Sequence, residues 1–237
     1  MKVAINEILI RDNKRDYNVL DFEIFKDLKG ISKSNTFFFS TIQDCSYLQT
    51  MMYGATSIYD ISINKYLAFL KDKFLNFNGY FKQTCQLDES DINKFCRSNS
   101  AYKHWAGQII KDKIDLNFIK QQLQQDILLY LAPVKYVSNE MRLWMIDGKC
   151  IEITEYPTWT CDNLELSYQE AKFTKEDYIK FAEDIADDWE PNDMYVMDIG
   201  ISYGKLQVIE YNSFSTCGFY NADISKIVSA VKEKYTN

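Results

Sequence analysis

YVMDIGISYGKLQVIEYNSFSTCGFY, residues 195–220, decides how this chain is read. Two strand-like runs flank a short turn, Tyr195 to Ile201 and then the run that opens at Leu206. Residues two apart on a strand share a face, so Glu210 and Asn212 present their oxygens side by side. Asp198, on a neighbouring antiparallel strand, can join them. Three hard oxygen donors on a rigid sheet suit a Mg²⁺ ion that holds nucleotide phosphates. The same residues also suit a hairpin with solvated polar positions, and this stretch alone leaves both readings open.

Working outward, EMRLWMIDGKCIEITEY (residues 140–156) predicts another hairpin turning on Asp147-Gly148. Its alternation puts Glu140, Arg142 and Trp144 on one face and Met141, Leu143 and Met145 on the other. That polar-aromatic face suits a pocket wall, where an arginine fork meets phosphate or carboxylate. A cross-strand ion pair on an exposed sheet is the alternative. Further back, FCRSNSAYKHWAGQ (residues 95–108) reads as a strand ending at Arg97, a polar turn with Lys103, and a new strand near Gly107. Two cations around a polar turn can fold over a polyphosphate; an exposed basic turn fits as well. His104, the single histidine, has no Ser or Cys partner motif beside it and reads as a packed or surface residue.

Between these landmarks the pattern predicts strands in MKVAINEILI and TFFFSTI and helices over 60–75, 115–125 and 174–188. Thr174 is the expected cap of the last of these, with a Glu near its third position. Asp88, Ser90 and Asp91 mark a loop, and DISKIVSAVKEKY a closing helix. Hairpins mixed with helices point to an α+β protein whose sheets carry helices on one face. A small region of about 85 residues is expected to precede a hairpin-rich remainder.

The chain has 237 residues, 46% of them hydrophobic and 15% aromatic, enough for a sizeable core and against disorder. Its formal charge of −7 argues against nucleic-acid binding by bulk attraction. The six cysteines form no CxxC pair and read as free buried thiols of a reducing cytosol. No run approaches the length of a membrane helix and no signal peptide opens the chain, so a soluble cytoplasmic protein is expected. P-loop, Rossmann, zincin and α/β-hydrolase signatures are all missing.

Taken in order, the three segments resemble the ATP-grasp superfamily, and within it the clade named for two arginines and one lysine. The resemblance spans roughly residues 45–230. It rests on Arg97, Ser100, Lys103, Gly107 and Gln108 in the first segment, and on Glu140, Arg142, Gly148 and Tyr156 in the second. In the third it rests on Asp198, Glu210, Asn212, Gly218, Phe219 and Tyr220. It implies two α+β lobes gripping ATP, a small one over about 86–130 and a large one over about 131–237, after an N-terminal α/β region of residues 1–85. Arg97 and Lys103 would contact phosphates, and Leu128 to Val134 would hinge the lobes, with Leu131 at the adenine. Glu140 and Arg142 would line the cleft, and Asp198, Glu210 and Asn212 would bind Mg²⁺. The implied reaction joins a carboxylate to an amine through an acyl phosphate; transfer to a hydroxyl, or nucleotide binding without turnover, are the alternatives. Ser98 and Ala101 replace the clade's proline and glycine in the phosphate turn, Trp105 a phenylalanine, and Pro157 stands where a basic residue is common. The first 40 residues carry no part of the resemblance.

Overall fold

KVAIN is apolar on both sides of the strand, the signature of a strand covered on both faces. In the computed structural model, which describes residues 1–11, 22–51, 55–59, 61–100, 107–123, 126–156 and 172–236, it forms β1 (Lys2–Asn6). Asn6 ends it by accepting from the Ile8 N–H, so the expected longer strand turns into a short helix, α1 (Glu7–Ile10). β2 (Glu23–Phe25) and β3 (Thr36–Phe39) flank β1, both parallel to it. Helix α2 (Ile42–Thr50) follows, capped by Thr41 Oγ1 on the Asp44 N–H.

Helix α3 (Ile63–Leu70) leads into a sheet of β4 (Tyr80–Gln83), β5 (Lys94–Ser98), β6 (Gln108–Ile109) and, after helix α4 (Lys113–Gln122), β7 (Leu128–Pro133). The order is β4-β7-β5-β6, all antiparallel. Residues 128–133 of the stretch expected to hinge the lobes form β7, one of the two inner strands. Its alternation sends Leu129 and Leu131 beneath Leu116 and Ile119 of α4, and Tyr130 and Ala132 into a second core. The expected loop at Asp88–Asp91 is a tight polar turn: Asp91 is buried and accepts from Tyr80 Oη and Lys82 Nζ, both at 2.7 Å.

The large sheet is set by its turns. Asp147 and Gly148 (φ 48° and 72°), and Tyr203 and Gly204 (φ 50° and 74°), have consecutive left-handed residues. That backbone twist matches the strands it joins. The turns fold β8 (Ser138–Ile146) onto β9 (Lys149–Glu155), and β10 (Met194–Ser202) onto β11 (Lys205–Ser213). Helix α5 (Lys175–Ala186) joins the two hairpins. Its capping box pairs Thr174 with Asp177, not with the neighbouring glutamate the sequence suggested. The sheet order is β11-β10-β8-β9, and β10 is buried along its whole length.

Both faces of this sheet are covered, in contrast to the one-sided layering expected. Tyr178, Ala182 and Ile185 of α5 pack with Leu143, Met145, Tyr195 and Met197 on one face, where Tyr130 and Ala132 of β7 join them. On the other face Trp144 and Val196 meet Val3, Phe37 and Phe39 of the N-terminal sheet. Ile227, Val228 and Val231 of the closing helix α6 (Ile224–Lys234) complete that layer. Among the described residues no helix is long and apolar enough to cross a membrane. Of the described cysteines, Cys45, Cys96 and Cys217 are buried, Cys150 is half-buried and Cys85 is exposed.

Candidate functional site

Three neighbouring strands of the large sheet place Arg142, Asp198 and Glu210 in one row. Asp198 on β10 lies directly opposite Arg142 on β8 and directly opposite Glu210 on β11. Cross-strand partners share a face, so all three side chains project the same way. A register shift after Asp198 accompanies the row, and such bulges re-aim side chains. Asn212, paired with Val196, comes next along that face.

Hydrogen bonds join the row into one network. Arg142 donates to Asp198 through Nε to Oδ1 and Nη2 to Oδ2, each at 2.8 Å. This is the two-pronged geometry that suits a guanidinium to a carboxylate. Asn212 Nδ2 donates to Asp198 Oδ2 and to Glu210 Oε1, both at 2.9 Å. Arg97 reaches the far side of Glu210, with Nη1 2.7 Å from Oε2. Because Arg97 belongs to β5 and Glu210 to β11, this ion pair bridges the small and large sheets.

The network is dry. The side chains of Arg142 and Asp198 are 3% and 1% exposed, those of Arg97 and Glu210 13% and 14%. Burial works against charge on each guanidinium, and Asp198 outweighs it at Arg142, as Glu210 and then Tyr66 do at Arg97. Both arginines are therefore held above their ordinary values, Arg142 by more. Among the described residues, two positive and two negative groups leave the cluster near neutral.

The donor set suits a hard cation: two carboxylates and an amide oxygen within hydrogen-bond reach of one another. The Asn212 N–H₂ now spans the gap between the carboxylates, and half a turn of the amide replaces it with the carbonyl oxygen. Glu140 stands two residues before Arg142 on β8, half-buried. Lys103 lies outside the described residues. The Leu131 side chain is fully buried beneath α4, and its strand is paired on both sides.

Local backbone fixes Arg97. A Cβ on Gly107 would lie 2.7 Å from the Phe95 ring and 3.2 Å from Arg97 Cβ, so a glycine there lets the returning chain pass. Beyond Arg97, Asn99 Oδ1 accepts from the Asn64 N–H at the start of α3, pinning the turn. Two residues that sequence reasoning left without a role, Tyr156 and Tyr220, set their rings against the Arg142 guanidinium. The only sequence signal for them was their place at the ends of the second and third motif segments.

The fold is shared with solved ligases. D-alanine–D-alanine ligase from Bacillus anthracis, complexed with ATP, is 12% identical and aligns over 99% of each chain with a TM-score of 0.56. The D-alanine–D-alanine ligase from Helicobacter pylori is 11% identical over 84% of this chain and 71% of its own, TM-score 0.52. A RimK-domain ATP-grasp protein from Sphaerobacter thermophilus is 8% identical over 91% and 92%, TM-score 0.50. No curated protein matches the sequence. Residues 63–231 match the ATP-grasp domain of R2K clade family 3, a span that runs from the start of α3 into α6 and takes in every residue of the network, and the chain belongs to that family.

Proposed function

We propose that the chain is an ATP- and Mg²⁺-dependent ligase that joins a carboxylate to an amine through an acyl phosphate. The observation that carries this reading is the Arg97–Glu210–Asn212–Asp198–Arg142 network, which lines up cations and hard oxygen donors where the two sheets meet. Membership of an ATP-grasp family and the fold shared with ATP-dependent ligases support it.

Arg97 and Lys103 hold phosphates from the small lobe, Glu140 lines the cleft, and Arg142 faces the transferred phosphoryl group or the acyl substrate. Asp198, Glu210 and Asn212 would hold Mg²⁺ through their side-chain oxygens. When bound, the ion neutralises charge on the γ-phosphate. The substrate carboxylate oxygen attacks the γ-phosphorus, ADP leaves, and an acyl phosphate forms. The amine nitrogen then attacks the acyl carbon, phosphate departs, and the nitrogen loses its proton. Such steps depend on positioning and charge neutralisation more than on a protein nucleophile, in keeping with the lack of a nucleophile–base motif.

The two ion pairs give the site a binding logic. Each carboxylate already has a guanidinium, so phosphate oxygens that engaged the arginines would leave Asp198 and Glu210 available to hold the ion. The same reading divides the chain at about residue 85 into an N-terminal region and the two lobes, and β4, just before that point, ties the N-terminal region to the small lobe by pairing with β7. The cytoplasm, where ATP and free thiols coexist, is the compartment it fits.

Incubating the protein with Mg·ATP and a panel of amino acids and small carboxylates tests it. Equimolar ADP and phosphate, dependent on both an acid and an amine and lost in Glu210→Gln, is the expected result. A phosphorylated product in place of free phosphate would make it a kinase. Nucleotide binding without ADP from any acceptor would make it a binding module.

A further inference from the structure

Arg142 is held by more than charge. Its guanidinium carbon lies 4.6 Å from the centre of the Tyr156 ring and 5.2 Å from that of Tyr220. The two ring centres are 4.9 Å apart and the planes meet at 64°, so the rings form a corner with the guanidinium seated in it. Asp198 takes Nε and Nη2, and the Gly218 carbonyl accepts from Nη1 at 3.3 Å. An arginine has five N–H bonds. Three of these have acceptors among the described residues, which leaves one on each terminal nitrogen for a ligand oxygen.

The corner is built at some cost in backbone conformation. Tyr220 sits at φ 47°, in the left-handed region that aromatic residues rarely enter and that clusters at functional sites. Core packing does not account for it. Phe219, next to it, is fully buried and stacks on Trp144 at 5°, whereas the Tyr220 side chain is only half-buried. Tyr156 arrives from the end of β9, where its N–H donates to the Glu140 carbonyl. Each ring is therefore carried by a segment adjoining a motif residue, Glu140 in one case and Gly218 in the other.

We propose that Tyr156 and Tyr220 are positioning residues that fix the plane of the Arg142 guanidinium and keep it aimed at substrate oxygens when Asp198 is drawn toward the metal. This rests on the ligase reading above. Asp198 is shared between the arginine and the metal site, so it cannot anchor Arg142 at every stage. Uncharged ring faces attract the cation whatever Asp198 does, and they orient a planar guanidinium in a way they cannot orient a lysine ammonium.

The test compares Tyr156→Phe, Tyr156→Leu, Tyr220→Phe, Tyr220→Leu and Arg142→Lys in the full chain. In ¹H–¹⁵N spectra without nucleotide, the Arg142 Nε–H signal of the wild type is expected upfield, shifted by the two rings. Both Phe variants keep that shift, and each Leu variant loses much of it. In turnover, the Leu variants are expected to lose about 10–100-fold in kcat with little change in KM for ATP, as for a misaimed catalytic group. The Phe variants stay close to wild type, and Arg142→Lys falls with the Leu variants. The proposal is overturned if the Leu variants keep the Nε–H shift or full kcat, or if Phe fails as badly as Leu. A wild type that releases no ADP with any substrate pair would sink the ligase reading separately, and the Nε–H shift would still decide the clamp.

Discussion

Replacing Asp198 with Asn is the sharpest structural perturbation the site offers. The change keeps the size of the side chain and removes its charge. Arg142, 3% exposed, then loses the carboxylate it pairs with, and among the described residues Glu210 is already engaged by Arg97 and Asn212. Breaking one side of a buried ion pair costs about 3–5 kcal/mol, most of it the penalty of an uncompensated buried charge. For a chain of this length each kcal/mol moves Tm by about 2–4 °C, so a fall of about 6–20 °C is expected. Urea denaturation gives the free energy directly, provided the slope stays that of the wild type. The double variant Arg142→Met/Asp198→Leu, which removes both charges, is expected to cost clearly less than the sum of its single variants. A loss below about 1 kcal/mol for Asp198→Asn, the range of exposed pairs, would refute the reasoning, since it would mean that solvent already compensates Arg142.

Mg²⁺ alone is expected to leave Tm where it was, because both carboxylates are paired; Mg·ATP at 100-fold its Kd adds about 2.7 kcal/mol, visible as a thermal shift, and a shift with Mg²⁺ alone contradicts the paired site. Gly200→Ala should destabilise by about 1–3 kcal/mol through overpacking, because its Cβ would fall 2.5 Å from Val137 Cγ1 and 3.0 Å from Ile209 Cδ1; adding Val137→Ala should recover part of that in urea midpoints. Burial pushes the thiols of Cys45, Cys96 and Cys150 up to about 12. Folded values above unfolded ones mean that their contribution is whole below the ordinary thiol value and is lost as pH rises toward 12. Stability measured from pH 8 to 11 should therefore fall, and a triple Cys→Ala variant should show a shallower decline whatever its starting stability.

Asp147-Gly148 and the alternation around it carried enough information to write the β8–β9 hairpin from sequence, since a turn needing two left-handed residues admits few residue pairs. The facing of Arg142 with Trp144 followed from the same period of two. β2 was illegible because three residues, Glu23–Phe25, carry no period, and the parallel pairing that makes them a strand is non-local. The resemblance set Leu131 at the adenine, and only the partners of β7 decide that its side chain points beneath α4. At the site, the residue types were legible, but their pairing was not. Nothing local tells Arg97 that Glu210 will complete its charge, because that contact needs both sheets in place. The aromatic corner around Arg142 was hidden for the same reason, as one ring follows the end of β9 and the other sits in the turn before α6.

Calorimetric titration with the magnesium complex of a non-hydrolysable ATP analogue tests the central claim most directly, run on the wild type and on Glu210→Gln. The account predicts saturable one-to-one binding to the wild type and a large loss of affinity in the variant. No binding to the wild type, or equal binding to both, would contradict it.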